Sequence, residues 1–293
     1  MITSLDRKTP VLVQGITGRM GRAHTGNMRA YGTNIVAGVV ARADTLAIDG
    51  IPVFTNCAEA VAATGAVASI AMVPPADVLR ATTEAVAAGI RLIVTIAEGV
   101  PVHDAIHAGR IARAAGAMWV GASTPGLAVP GEMKLGFLPN VSLHPGPLAL
   151  MSKSGTLSYE VGYRLAREGI GQSFWVGVGG DAVKGVRFAD LLNPFLENER
   201  TKGIVLVGEV GGDEEEEFAD ALARAAVHKP VYAIVAGKQA KEGVSMGHAG
   251  ALTYGETGTL ASKHARLRAA GAGVFASIGD LVTACVRDLR PAH

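Results

Sequence analysis

Short runs of β-branched and aliphatic residues alternate with alanine-rich stretches of helical period along most of the chain. In the first part, VLVQ (11–14), NIVAGVV (34–40), ASIAMV (68–73), RLIVTI (91–96) and AMWVG (117–121) read as strands, and helical segments follow most of them. PLALMS (147–152), SFWVGVG (173–179), GIVLVGEV (203–210) and PVYAIVAG (230–237) restart the pattern after a Gly/Pro-rich stretch. Strands regularly separated by helices predict parallel sheets covered on both faces. The fold class is therefore α/β, with two doubly wound parallel-sheet domains. The boundaries are placed at residues 1–125 for the first domain, 126–146 for a connector and 147–293 for the second.

Composition supports this division. A chain of 293 residues exceeds the usual domain size of roughly 100–200 residues. Hydrophobic residues make up 49% of it and aromatic residues only 5%, so the cores rest on Ala, Val, Ile and Leu. With 27 basic and 26 acidic residues the formal charge is +1, which gives no electrostatic reason to expect nucleic acid or an anionic membrane as partner. Cys57 and Cys285 match no metal or redox spacing, so no metal site is assigned and a reducing, cytoplasmic setting is expected. The N-terminus lacks an apolar signal segment, and the most apolar stretch, Val61 to Leu79, is interrupted by Gly65, Pro74 and Pro75.

The candidate chemistry lies in four glycine-edged turns. The first, QGITGRMG (14–21), follows a strand and opens a helix that runs to about Tyr31. Gly15, Gly18 and Gly21 allow close backbone approach, and the helix start offers N–H groups to a phosphate. The second strand ends with Arg42 ahead of Asp44. An Arg there fits the ribose phosphate of NADP or the 3′-phosphate of coenzyme A, and the turn alone does not separate them. GRMGR also resembles the pyridine-nucleotide turn of dihydrodipicolinate reductases, which keeps a pyridine-nucleotide-dependent oxidoreductase as the competing reading.

The second turn, MSKSGTLSYE (151–160), gathers hydroxyls around Gly155 at a helix start, where an oxyanion is the natural guest and a plain Ser cap the simpler account. The third, VGEVGGDEEEE (207–217), puts Glu209 at the carboxyl end of an apolar strand, the edge where open α/β sheets bind ligands. Its acidic run, 213–217, is expected to be a solvated first turn favoured by the helix dipole. The fourth, VSMGHAGAL (244–252), flanks His248 with Gly247, Ala249 and Gly250, which leaves its ring accessible. The other histidines read as surface or packing residues. A neutral imidazole is a competent nucleophile toward phosphorus, and a neighbouring carboxylate fixes its tautomer. Strand ends of a doubly wound sheet meet at one edge, so a histidine, a carboxylate and a helix start there suggest a phosphohistidine site.

The order QGITGRMG, TIAEG (95–99), TPG (124–126), SKSGTLSYE, VGVGGD (176–181), VGEVGG and MGHAGAL resembles that of the α subunits of succinyl-CoA synthetases, the nucleoside-diphosphate-forming acid–CoA ligases, nearly end to end. The resemblance implies a Rossmann-like CoA-binding domain followed by a flavodoxin-like ligase domain. It assigns the CoA phosphates to Gly15, Thr17, Gly18, Arg19, Met20 and Gly21 with Arg42, and the pantetheine end to Ile96, Ala97 and Glu98. His248 matches the phosphorylated histidine and Glu209 its carboxylate. Ser152, Lys153, Ser154, Gly155, Thr156 and Tyr159, with Ser123 and Thr124, match the phosphate and acid site. ATP or GTP with Mg2+ would be bound mainly by a β subunit carrying an ATP-grasp domain, in an αβ or α2β2 assembly, and the acid would be a small carboxylic acid. Departures fall at that acid: the sequence reads Ser123-Thr124 where the family carries Asn-Cys, and Lys153 where it carries Arg. A Lys grips a carboxylate as a point charge and an Arg as a bidentate fork. Ala43 and Asp44 also stand where a CoA-loop lysine is common. Succinate is the default acid, with malate, citrate or another acid open.

Overall fold

The computed structural model describes the chain apart from residue 1 and residues 43–44, 240–246, 254–256 and 291–293. Ala43 and Asp44 therefore lie outside the described residues, as do residues 244–246 of the histidine loop and the terminal histidine. Two compact units result, Met1–Phe137 with Val183–Val186, and Leu138–Ala182 with Arg187–His293.

The first unit contains β1 (Val11–Gln14), α1 (Arg19–Tyr31), β2 (Ile35–Val39), β3 (Ala47–Ile48), β4 (Ile51–Phe54), α2 (Cys57–Thr64), β5 (Ala68–Ala71), α3 (Val78–Ala87), β6 (Leu92–Thr95), α4 (Val102–Ala114) and β7 (Met118–Val120). Its sheet runs β3-β4-β2-β1-β5-β6-β7, parallel except at the β3–β4 edge. β1 sits centrally and is buried at every position, as a parallel strand covered on both faces must be. Helix α1 stops where Gly32 enters the left-handed region at φ 119° and returns its N–H to Arg29 and Met28 carbonyls. Helix α2 starts where the Asn56 side chain accepts the Glu59 N–H at 2.8 Å. Alanines at 37, 60, 85, 105 and 108 let these helices lie close to the sheet around Trp119.

The stretch expected as a connector is itself structured. β8 (Gly126–Val129) and β9 (Met133–Gly136) form an antiparallel hairpin assigned to the first unit. Thr33 Oγ1 donates to the Lys134 carbonyl at 2.7 Å and accepts its N–H at 3.1 Å, tying the hairpin to the end of α1. Its glycines mark close approach and not a linker: a Cβ on Gly126 would lie 1.8 Å from the Leu135 carbonyl oxygen. Residues 183–186 also return to the first unit, where the Gly185 N–H donates to the Gly121 carbonyl at 2.7 Å.

The second unit contains β10 (Pro145–Ser152), α5 (Gly155–Arg167), β11 (Gln172–Gly177), α6 (Phe188–Glu197), β12 (Gly203–Glu209), α7 (Glu214–Ala223), β13 (Val231–Ala236), α8 (Leu260–Ala269), β14 (Gly273–Phe275) and α9 (Ile278–Leu289). Its parallel strands follow the order β14-β13-β12-β10-β11. Here the core uses aromatic side chains, with Phe174, Trp175, Phe188, Phe195 and Phe218 fully enclosed. Both units are thus α/β, as the alternation predicts. Cys57 and Cys285 are free and buried, and burial pushes both thiols up to about 12. Among the described residues no helix is long and apolar enough to cross a membrane.

One buried bond in the first unit provides a stability test. The Trp119 indole N–H donates to Thr95 Oγ1 at 2.8 Å, and both side chains are enclosed. Thr95→Val keeps the shape but orphans the donor, so the unit should lose about 1–3 kcal/mol, read as a shift in denaturant midpoint.

Candidate active site

In the second unit His248 Nδ1 lies 2.7 Å from Glu209 Oε2. An ionised carboxylate only accepts, so a neutral imidazole in this pair carries its proton on Nδ1 and directs the Nε2 lone pair away from Glu209. The imidazole side chain is 30% exposed while that of Glu209 is 10% exposed, so an ordered carboxylate backs an accessible ring.

Glycines seat the ring. A Cβ on Gly180 would lie 2.7 Å from His248 Cγ, so the imidazole rests directly on the backbone that follows β11. The Gly250 N–H donates to the Gly180 carbonyl at 3.1 Å. Gly211, at φ 89°, takes the other side, where a Cβ would meet the Gly250 carbonyl at 2.4 Å and the Leu252 nitrogen at 2.5 Å. The VGVGGD stretch is thus a support for the histidine loop, a role its glycines alone do not announce.

β10 lies between β11 and β12, with Ser152 opposite both Gly177 and Val207. The turn after β10 therefore opens beside the ends of the two strands that carry Gly180 and Glu209. Ser154 is the N-cap of α5, its hydroxyl accepting the Leu157 N–H at 3.4 Å, so the plain cap is what the structure contains. Gly155 and Thr156 form the first turn of that helix. Ser152 is enclosed, and its Oγ accepts the Ser154 N–H at 3.0 Å, so it shapes the turn instead of facing a guest. Tyr159 stacks on Trp175 at 6.1 Å, and burial raises its phenol to about 12.

Two expectations are corrected. The Lys153 ammonium does not face outward as a point charge for an acid: its side chain is 5% exposed and Nζ lies 3.0 Å from Glu215 Oε2 and 3.5 Å from Glu214 Oε2. The acidic run is not a solvated turn either, because Glu214, Glu215 and Glu216 are buried. Glu215 is fully enclosed between Lys153 and Lys263, and its Oε1 accepts the Glu209 N–H at 3.0 Å. Lys263 Nζ also donates to the Gly211 carbonyl at 2.7 Å. Burial opposes charge here, yet the two ammonium groups hold the Glu215 carboxyl below its ordinary range. Against the same opposition, the carboxylates of Glu215 and Glu214 raise Lys153. Sequence period could not find this cluster, since its partners are 62 and 48 residues away.

In the first unit Gly15, Thr17, Gly18, Arg19, Met20 and Gly21 form the turn into α1. Gly18 is the N-cap with no side-chain bond, so no side chain competes for the helix start. A Cβ on Gly21 would lie 2.2 Å from the Gly15 carbonyl oxygen, so only glycine closes this turn. Beside it is a cavity of about 380 Å3 lined by Gly18, Met20, His24, Pro74, Ile96 and Ala97 among others. His24 Nδ1 is buried with no hydrogen-bond partner among the described residues, and the Phe137 ring lies 5.3 Å from its own. A second cavity of about 180 Å3 lies across the turn, between Thr17, Val40, Ala41 and Arg80. An elongated ligand with a phosphate at the helix start and arms to both sides fits this arrangement. Arg42 and Glu98, which follow the lining residues Ala41 and Ala97 in sequence, are exposed. Ser123 and Thr124 also belong to this unit: the Ser123 N–H donates to the Ala97 carbonyl at 2.8 Å, and Thr124 Oγ1 accepts the Gly126 N–H at 2.9 Å.

Comparison with known proteins gives a family to each of the two units. Residues 6–99 match the CoA binding domain family and residues 151–273 the CoA-ligase family. The succinate–CoA ligase [ADP-forming] subunit alpha 1 of Archaeoglobus fulgidus is 44% identical over 278 residues, covering 95% of each chain. The corresponding subunit alpha of Aquifex aeolicus is 42% identical over 287 residues, covering 96% of this chain and 94% of the relative. The chain belongs to the succinate–CoA ligase α-subunit family. Its fold is shared by ATP citrate lyase of Methanosaeta concilii, solved with (3S)-citryl-CoA, at 25% identity and a TM-score of 0.86 over 97% of this chain and 50% of that one. This chain therefore spans half the length of that relative. For this member of the α-subunit family the first turn falls in the CoA-binding match, which decides between the two cofactors its sequence left open.

Two outcomes follow for this α subunit. Gly180→Ala should displace the imidazole and lower CoA-thioester formation by about 10²-fold, with CoA binding unchanged. Glu215, depressed in the folded state, stabilises the second unit fully above its ordinary value of about 4.3, and that contribution disappears as pH falls through the lower folded value. Denaturation midpoints should therefore fall more steeply across this acidic window for wild type than for Glu215→Gln.

Proposed function

We propose that the chain is the α subunit of a cytoplasmic nucleoside-diphosphate-forming acid–CoA ligase that works through a phosphorylated His248. The observation that carries this reading is the 2.7 Å contact between His248 Nδ1 and Glu209 Oε2 on an accessible ring. Nε2 attacks the γ-phosphorus of ATP or GTP, the bond to the nucleoside diphosphate breaks, and Glu209 stabilises the imidazolium that forms. A carboxylate oxygen of the acid then attacks phosphorus and breaks the N–P bond, giving an acyl phosphate. The CoA thiolate attacks the acyl carbon and expels phosphate. Splitting the reaction this way spares the thiolate from attacking an anionic carboxylate.

The start of α5 supplies N–H groups for the phosphoryl oxygens, with Ser154 holding the turn and Thr156 and Tyr159 beside it. The start of α1 binds the CoA pyrophosphate, Arg42 the 3′-phosphate, and Ile96, Ala97 and Glu98 border the pantetheine. Ser123 and Thr124 contribute to the acid site. A β subunit with an ATP-grasp domain brings the nucleotide with Mg2+, in an αβ or α2β2 assembly. The acid is a small di- or related carboxylic acid, with succinate first and malate and citrate next.

The test is labelling. The co-purified αβ complex given γ-labelled ATP or GTP should label this chain in an acid-labile, base-stable form, and His248→Asn should remove the label. Label that persists in that variant excludes His248 as carrier. A thioester screen of di- and tricarboxylic acids with the same complex identifies the acid.

A further inference from the structure

The buried cluster under Glu209 has no part in the phosphoryl transfer, yet it touches Gly208, Glu209 and Gly211, the strand end and turn on one side of the histidine. Glu215 packs its Cγ against Gly208, where an added Cβ would come within 2.8 Å of it, and its Oε1 accepts the Glu209 N–H at 3.0 Å. Its Oε2 is held by Lys153, 3.0 Å away in the β10–α5 turn, and by Lys263 of α8. Lys263 in turn binds the Gly211 carbonyl at 2.7 Å, and Gly211 is the residue against which the histidine loop packs. Glu214 accepts the Phe188 N–H at 3.1 Å, and Glu216 accepts the Gly258 N–H at 3.2 Å and the Ser262 hydroxyl at 3.1 Å. The bonds to the Glu209 N–H and the Gly211 carbonyl fix the backbone at the strand end that carries Glu209, and the others tie the same helix start to α6 and α8.

We propose that Lys153 and Glu215 are positioning residues for the His248–Glu209 pair: the Glu215 carboxylate, clamped by two ammonium groups, fixes the Glu209 backbone so that its side chain meets His248 Nδ1. Lys153 then serves histidine phosphorylation through this clamp and does not bind the acid. The specificity of the acid site rests on other residues of the two altered turns. The kinetic part of this inference rests on the phosphohistidine reading, while its structural part does not.

The experiment compares wild type, Lys153→Met, Lys153→Arg and Glu215→Gln as full chains co-purified with the β subunit. One readout is the 15N imidazole spectrum of His248 above its titration range, assigned with His248→Asn. Wild type should show the Nδ1-protonated tautomer. Lys153→Met and Glu215→Gln should move toward a tautomer mixture, and Lys153→Arg should restore the wild-type pattern. The second readout is steady-state kinetics, in which the two neutral variants should lose about ten-fold or more in kcat with KM for the acid little changed. Should Glu215→Gln fail to fold, the charge-balanced Glu215→Gln/Lys263→Met variant carries the same comparison. A rise in acid KM at intact kcat in Lys153→Met overturns the proposal, as does a wild-type tautomer in both neutral variants. A wild type that holds the Nδ1–H tautomer but takes no label defeats the phosphohistidine reading and leaves the positioning role standing.

Discussion

Removing a carboxylate from water costs several kcal/mol, and Glu215 is enclosed completely. Its charge survives because Lys153 and Lys263 converge on one of its oxygens while the Glu209 N–H occupies the other. Removing one member of such a pair costs about 3–5 kcal/mol, since the remaining charge is left buried and unmatched. The constraint is directional as well as energetic. Three segments distant in sequence must reach one carboxylate, so the ends of β10 and β12 and the start of α8 are held in fixed relation.

The histidine site depends on this arrangement. An accessible imidazole can turn, and a turned ring loses the tautomer that points a lone pair outward. Gly180 below the ring, Gly211 beside the loop and Glu209 at Nδ1 leave it one seat. Accessibility and order, which oppose each other in most loops, coexist because the supporting groups are backbone and buried charge. The first unit solves a related problem with glycines alone. Gly15 and Gly21 bring the turn and α1 so close that no side chain intervenes, and the helix start remains exposed to an anion.

The same residue types therefore carry different duties in the two units. Glycine near the β1–α1 turn lets backbone approach backbone, glycine in the β8–β9 hairpin makes room for a neighbouring strand, and Gly180 makes room for the His248 ring. Composition does not separate these uses. Lysine shows the same ambiguity, because Lys153 stands in the β10–α5 turn and yet directs its ammonium inward to Glu214 and Glu215.

The two α/β units, their main parallel strands, the first turn and the His248–Glu209 pair were legible in the sequence, because each depends on local period, glycine spacing or an ordered set of motifs. The Gly and Pro signals at 126–136 predict a connector, because linkers and tight contacts share them, whereas the chain there forms a hairpin. For the acidic run at 213–217 helix-dipole reasoning predicts a solvated turn because it sees only its own element, whereas Glu215 and Glu216 find partners in α8 and Glu214 and Glu215 in the β10–α5 turn, leaving only Asp213 and Glu217 exposed. Local pattern determines which segments become strands, helices and turns, since those choices are made over a few residues. Which charges are buried, and which lysine meets which carboxylate, was decided by tertiary structure, because burial is a property of what packs on top and a Coulomb pair has no sequence period.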